Sequence, residues 1–249
     1  MRFLKGAMKT VGILGGMGPA AGADFVRLFV QACAEVQLQK GMAVRDQSFP
    51  EHWLAQIPIP DRTAALLDVR QGAHQPLESM LQALGSLAAL GVCSVAIACN
   101  TAHAWHAGLQ ARFPQIELLH VAQEVAATLA SQGAREVALM ATEGTYQIGL
   151  YQLALKNSGV VCHLPTAVER QRITQGIFGG VKANNMVVAQ QCFSGVVSAL
   201  HQRYKAAPII LGCTEIPLGL QLATLAQSVQ TIDPSQVLAQ ALAARAYSA

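Results

Sequence analysis

The sequence predicts an α/β fold of two similar lobes, each a parallel sheet flanked by helices, related by a pseudo-two-fold axis with the active site in the cleft between them. Three observations lead there. Short apolar runs alternate with longer helical patterns, which is the signature of parallel sheets covered by helices. The runs are continuous rather than alternating, as expected of strands buried on both faces. The two halves also repeat the same features in the same order.

The strand candidates are residues 10–16, 92–99, 116–121, 136–141, 160–164, 208–213 and 229–232, rich in Val, Ile and Leu and edged by turn residues. Helical periodicity covers 20–39, 77–90, 184–204 and 234–247. In the first of these, Phe25, Leu28, Phe29, Ala32 and Val36 share one face. The repeat is positional. Val137 opens a strand-to-turn segment 126 residues after Val11, and Cys213 ends a strand 114 residues after Cys99. The first lobe is expected over residues 8–120, completed by a C-terminal helix at 233–249, and the second over 121–232.

The chain has 249 residues, 52% of them hydrophobic and only 12% charged, with a formal net charge of +3 and no Lys/Arg cluster. That suffices for a large core and argues against a nucleic-acid partner. No apolar run reaches the ~20 residues of a membrane span, so no membrane partner is expected. The opening lacks the apolar segment of a signal peptide, and residues 1–7 read as an extension ahead of Met8. The six cysteines are scattered with no C-x-x-C pair, which disfavours a zinc site or disulfide framework. Free thiols in a reducing cytoplasm are the expectation.

Cys99 and Cys213 stand at the carboxyl ends of strands, where ligands of parallel sheets bind. Each precedes a predicted helix start, which favours a thiolate. Either one alone reads as a buried core cysteine. Two at matched places in facing lobes fit a proton-transfer pair. Inverting an α-carbon requires removing a proton from one face and returning one to the other, which a thiolate and a thiol on opposite sides can do. Cys33, Cys93, Cys162 and Cys192 read as core or inert. Asn100, Thr101 and Thr214, with their backbone N–H groups, suit an α-carboxylate at the helix starts, or else simple N-capping. Thr145 offers a hydroxyl from the second lobe, or a cap. His103, one turn from Cys99, is able to share its face; His106 and His120 read as incidental.

Gly15-Gly16-Met17-Gly18-Pro19, Ile59-Pro60-Asp61-Arg62-Thr63, Cys99-Asn100-Thr101-Ala102-His103 and Leu211-Gly212-Cys213-Thr214-Glu215-Ile216-Pro217-Leu218 resemble the signatures of the aspartate/glutamate racemase family, closest to its pyridoxal-phosphate-independent aspartate racemases. Ala141-Thr142-Glu143-Gly144-Thr145 and Val181-Lys182-Ala183 resemble family segments too. The resemblance runs in the family's order along nearly the whole chain. It implies racemisation of an acidic amino acid without a cofactor or metal, Cys99 and Cys213 as acid and base, and a homodimer. It implies Arg62 and Lys182 as partners of the substrate's side-chain carboxylate, Met17 as part of the substrate site, and Glu215 as the residue that orients a thiol. A bidentate Arg suits a carboxylate in a closed cleft, although Arg62 and Lys182 also read as solvated charges. Ala183-Asn184-Asn185 departs from the family's Ala-Gly, and residues 51–59 are unusual; both leave glutamate or a broader set of amino acids open.

Three rivals remain. Gly16-Met17-Gly18-Pro19-Ala20-Ala21 fits G-x-G-x-x-A, but the acidic residue a dinucleotide needs about 20 residues on falls at Glu35, inside a helical pattern. A maleate isomerase- or decarboxylase-like enzyme of the same fold needs only one cysteine. A non-catalytic carboxylate-binding protein would leave both cysteines passive.

Overall fold

The computed structural model describes residues 8–68, 72–205, 207–220 and 229–248; the extension at 1–7 lies outside the described residues. Two four-stranded sheets form. The first holds β1 (Val11–Gly15), β2 (His52–Gln56), β3 (Ser94–Ile97) and β4 (Glu117–Leu118), in the order β2-β1-β3-β4. The second holds β5 (Glu136–Ala141), β6 (Val161–His163), β7 (Ile209–Gly212) and β8 (Thr231–Ile232), in the order β6-β5-β7-β8. Every pairing is parallel. The strand order repeats, so the positional repeat in the sequence is a repeat of topology, and Cys99 and Cys213 follow equivalent third strands.

The helices of the first half are α1 (Pro19–Gln39), α2 (Arg62–Leu67), α3 (Leu77–Ala89), α4 (His106–Arg112) and α5 (Val121–Ser131). Those of the second are α6 (Glu143–Gln147), α7 (Leu150–Asn157), α8 (Ala167–Gln175), α9 (Met186–Tyr204), α10 (Glu215–Gly219) and α11 (Pro234–Ala246). α1 opens with Pro19 at its first turn, where the missing N–H costs nothing. The turn ahead of it depends on Gly16, at φ +87°, where a Cβ would stand 1.8 Å from the Ile57 carbonyl oxygen. No helix among the described residues is long and apolar enough to cross a membrane.

One core runs through both halves. Val11, Ile13, Phe25 and Phe29 join Val125 and Leu129 of α5, Val137 and Leu139 of β5, Tyr151 of α7, and Leu238 and Leu242 of α11. α11 lies against α1 and α5. Each sheet packs its opposite face into a separate cluster. Leu14, Met80, Leu84 and Ile97 gather around Cys99, and Met140, Ile173, Phe193 and Ile216 around Cys213. Burying side chains of this size stabilises by roughly 1.5–3 kcal/mol each, so both cysteine turns are anchored by packing.

The structure corrects several element boundaries. β2 is absent from the predicted strands. It is an edge strand with Trp53 and Leu54 exposed, so it never shows the continuous apolar run of a doubly buried strand. The strand expected at 116–121 shrinks to Glu117–Leu118, because α5 begins at Val121. The helix expected from 184 starts at Met186. Asn184 is left-handed at φ 56° and Asn185 caps the helix, accepting from the Val188 N–H at 3.2 Å.

Candidate active site

The two cysteines sit in matching turns. The Cys99 N–H donates to the Ile97 carbonyl at 2.8 Å, and the Cys213 N–H donates to the Leu211 carbonyl at 2.9 Å. Both are three-residue turns that end a buried strand. Cys99 is 7% exposed and Cys213 6%, each a packed residue with an edge still open.

Around Cys213 the polar groups are spoken for. Its thiol donates to Glu215 Oε2 at 3.0 Å, and the Thr214 hydroxyl donates to the same oxygen at 3.0 Å. The Lys182 ammonium stands 3.7 Å from Glu215 Oε1 and over the Phe178 ring. Burial pushes the Cys213 thiol well above the ordinary thiol range, and the Glu215 charge pushes it further, with a contribution from Cys99. This corrects the expectation that a helix start lowers the thiol. α10 is only five residues long, and a carboxylate faces the sulfur. Thr214 is not a side-chain cap either; its hydroxyl supports Glu215.

Around Cys99 the arrangement differs. His103 is buried, and its Nδ1 donates to the Cys99 carbonyl at 2.9 Å. Its Nε2 accepts from the Val121 N–H at 3.2 Å. Both ring nitrogens therefore serve the backbone, and the ring is neutral. Burial, together with the neighbouring His120 and His106, lowers its pKa to about 3. Sharing a face with Cys99 does not turn the ring to the sulfur: His103 braces the Cys99 turn. Beyond it, between α5 and α7, a cavity of about 460 Å³ is lined by His103, His120, Gln123, Ile148 and Leu153, and neither cysteine borders it.

Arg62, 6% exposed, is placed by α2, whose N-cap Asp61 accepts from the Ala64 N–H at 2.7 Å. Its Nη1 donates to the carbonyls of Ile59 (3.0 Å) and Pro60 (2.9 Å), and its Nη2 to the Met17 carbonyl at 2.7 Å. Nε is buried and has no partner among the described residues. Met17 thus reaches Arg62 through its carbonyl, and its side chain is core. Asn100 is buried, and its Oδ1 accepts from the Tyr151 hydroxyl. It does not cap the 3-10 turn that follows. Thr101 forms a ring of hydroxyls with Thr142 (2.9 Å) and Thr145 (3.0 Å), closed by Thr142–Thr145 at 3.0 Å. Thr142, not Thr145, is the cap of α6. Its role was hidden in the motif, and nothing in the sequence singled out Tyr151. Of the other cysteines, Cys33 is buried and pushed up to about 12 by burial, whereas Cys93 is exposed rather than core.

Fold and site together define a two-lobed α/β protein with one thiol at the end of the equivalent strand in each half. A family model described as Asp/Glu/Hydantoin racemase matches residues 14–242, and the chain belongs to that family. The Bacillus subtilis (strain 168) protein named broad specificity amino-acid racemase RacX is 26% identical over 232 residues, 92% of this chain and 95% of the relative. Among solved structures, Picrophilus torridus aspartate racemase is 26% identical with a TM-score of 0.78, covering 96% of this chain and 94% of that one. An aspartate racemase homologue from Pyrococcus horikoshii OT3 has a TM-score of 0.71 at 22% identity, covering 97% of this chain and 100% of that one, and shares the fold.

Proposed function

We propose that this protein is a cofactor-independent amino-acid racemase, with aspartate as its first substrate, and that Cys99 and Cys213 act on opposite faces of the α-carbon. The observation that carries the reading is the pair of matching turns, which presents one thiol from each lobe at equivalent strand ends.

In the first half-reaction a thiolate takes the α-proton: the C–H bond breaks, an S–H bond forms, and the electron pair spreads onto the α-carboxylate. The opposite thiol then gives its proton to the other face of the carbon, leaving a thiolate. One proton is removed and one returned, and the pair has exchanged states. Cys213, whose thiol donates to Glu215, is the resting acid, so Cys99 is the first base. Developing charge on the α-carboxylate is met by Asn100 and by the backbone N–H groups of Thr101 and Thr214, fixed donors of the kind that lower such barriers.

Arg62 supports an acidic substrate. Both Nη1 hydrogens and one on Nη2 go to carbonyls. The Nε–H and the remaining Nη2 hydrogen form one edge suited to a carboxylate. Lys182 balances Glu215 and stands as the second cation for the substrate's side chain. The relative named a broad specificity amino-acid racemase widens the substrate panel beyond aspartate. The same reading carries a cytoplasmic homodimer, with lobes at 8–120 plus 233–249 and at 121–232; the packing of α11 on α1 and β3 supports placing the C-terminal helix with the first lobe.

The test is deuterium incorporation and inversion at the α-carbon in D2O, with both enantiomers of aspartate and a panel of other amino acids. Wild type is expected to exchange and invert aspartate. Cys99→Ala and Cys213→Ala are each expected to lose inversion by about 100-fold or more, the usual weight of a general acid or base. Inversion at the wild-type rate in both variants sinks the reading.

A further inference from the structure

Tyr151 is 0% exposed, in the first turn of α7. A tyrosine hydroxyl taken out of water needs a partner, and this one finds it in a side chain rather than in the backbone: it donates to Asn100 Oδ1. Tyr146 shows the contrast. Its hydroxyl donates to the Leu139 carbonyl at 3.1 Å and accepts from the Ala141 N–H at 2.8 Å, stitching the end of β5. The Tyr151 bond instead crosses from the second half of the chain to the residue that follows Cys99.

The ring of Tyr151 also stands beside the residue that precedes the other cysteine. Its Cε2 lies 3.2 Å from where a Cβ on Gly212 would stand, and that Cβ would also meet Leu139 Cδ1 at 2.9 Å and the Met140 carbonyl oxygen at 3.0 Å. A Cβ there would have to displace Leu139 and press on the Met140 carbonyl and the Tyr151 ring, immediately before Cys213. One buried side chain therefore stands against both cysteine turns, by hydrogen bond on one side and by the closeness of its ring to Gly212 on the other.

We propose that Tyr151 is a positioning residue of the racemase site, which holds the Asn100 amide with Oδ1 turned to the tyrosine and the NH2 arm free for the substrate's α-carboxylate. The assignment rests on the racemase reading above. Among the described residues the Asn100 NH2 has no protein acceptor. An asparagine amide is nearly symmetric in shape, and its orientation is chosen by its hydrogen bonds. A donor on Oδ1 leaves two N–H groups on the other arm. Without that donor the amide is free to turn over, and an oxygen then meets the carboxylate.

The experiment measures kcat and KM for aspartate racemisation in wild type, Tyr151→Phe, Asn100→Ala and the double variant, with thermal unfolding of each. Tyr151→Phe keeps the ring against Gly212 and removes only the hydroxyl. Its KM is expected to rise about tenfold, the usual effect of a lost hydrogen bond to a charged group, at a kcat changed less. In the Asn100→Ala background the same substitution is expected to do nothing further, because it acts through that amide. A merely structural tyrosine lowers the melting temperature without moving KM, and its effect multiplies with that of Asn100→Ala; either result overturns the assignment. Asn100→Asp is a second probe, since it keeps the acceptor for Tyr151 and replaces the free NH2 with an oxygen. Its KM is expected to rise more than that of Tyr151→Phe, and a wild-type KM there also overturns the assignment. A wild type that inverts no amino acid defeats the racemase reading and this assignment together. An active wild type beside an indistinguishable Tyr151→Phe defeats only the assignment.

Discussion

The Cys213 thiol donates to Glu215 Oε2 across 3.0 Å, from a position two residues earlier in the chain. The bond sets a direction. A carboxylate acceptor stabilises the protonated sulfur and opposes the thiolate, and burial acts in the same sense. Once Cys213 has given its proton away, two like charges stand side by side, offset by Lys182. Glu215→Gln removes the repulsion and turns an amide towards the sulfur. The midpoint for iodoacetamide alkylation of Cys213 is expected to move to lower pH, by roughly one unit, read by mass spectrometry of the Cys213 peptide across pH. An unmoved midpoint means that burial alone holds the thiol.

A substitution at Arg62 tests its structural duty and its proposed substrate-binding one together. Three carbonyls end on its guanidinium, those of Met17 and Ile59 buried and that of Pro60 partly buried. Arg62→Met keeps much of the volume and leaves all three without a donor. Each unsatisfied buried acceptor costs about 1–3 kcal/mol, so a loss of about 3 kcal/mol or more is expected in urea unfolding. Arg62→Lys returns one donor group at most, and is expected to recover part of the stability while aspartate binding stays weak, because the carboxylate edge at Nε is gone. Recovery of wild-type aspartate affinity by lysine argues that charge alone, not the edge, binds substrate.

The parts of the fold that were legible in the sequence are those whose burial is two-sided. β1, β3, β5 and β7 read as unbroken apolar runs because both faces are covered. β2 escaped notice because an exposed edge strand has no such constraint, and the short α6 and α10 carry too few turns for a period to register. Of the candidate site, Cys99, Cys213, Arg62 and Glu215 stand out in the sequence because each falls in a dense motif. His103 was placed beside Cys99 but not on its backbone carbonyl, since spacing on a helix locates a face and not the atom that takes the hydrogen bond. Tyr151 was invisible. Its partners, Asn100 and Gly212, lie 51 and 61 residues away in opposite directions along the chain, and only the fold brings them together.

Thr101, Thr142 and Thr145 close a hydroxyl ring between the turn after β3 and the start of α6. Thr142 also accepts from the Thr145 N–H at 3.2 Å as the N-cap of α6. Thr142→Val keeps the shape and removes both functions. Loss of the cap costs about 1 kcal/mol, and the loss of two of the three ring hydrogen bonds adds a similar amount, so about 2 kcal/mol is expected in denaturant unfolding, while Thr101 and Thr145 keep their mutual bond. Thr145→Val leaves the cap in place and is expected to cost about half as much. Equal costs would assign the stability to the ring and none of it to the cap.

Asp233 caps α11, its Oδ1 accepting from the Ser235 N–H at 2.8 Å. Burial, reinforced by the charge of Asp24, raises its pKa from 3.8 to about 6. A folded-state pKa above the unfolded one means that the folded chain holds the proton more tightly. The stabilisation is therefore complete below about pH 4 and is lost as pH rises through about 6. At neutral pH the folded protein carries a carboxylate that its surroundings disfavour. Asn caps a helix as well as Asp does and carries no charge. Asp233→Asn is expected to be more stable than wild type at pH 7.5, on the order of 1–2 kcal/mol, and the difference is expected to vanish as the pH falls to about 4. Urea unfolding of the two proteins at pH 4, about 5, about 6 and 7.5 reads it directly, because the other carboxyls are common to both and drop out of the difference. A gap that stays constant with pH would place the effect in the cap's hydrogen-bond geometry rather than in the titration of Asp233.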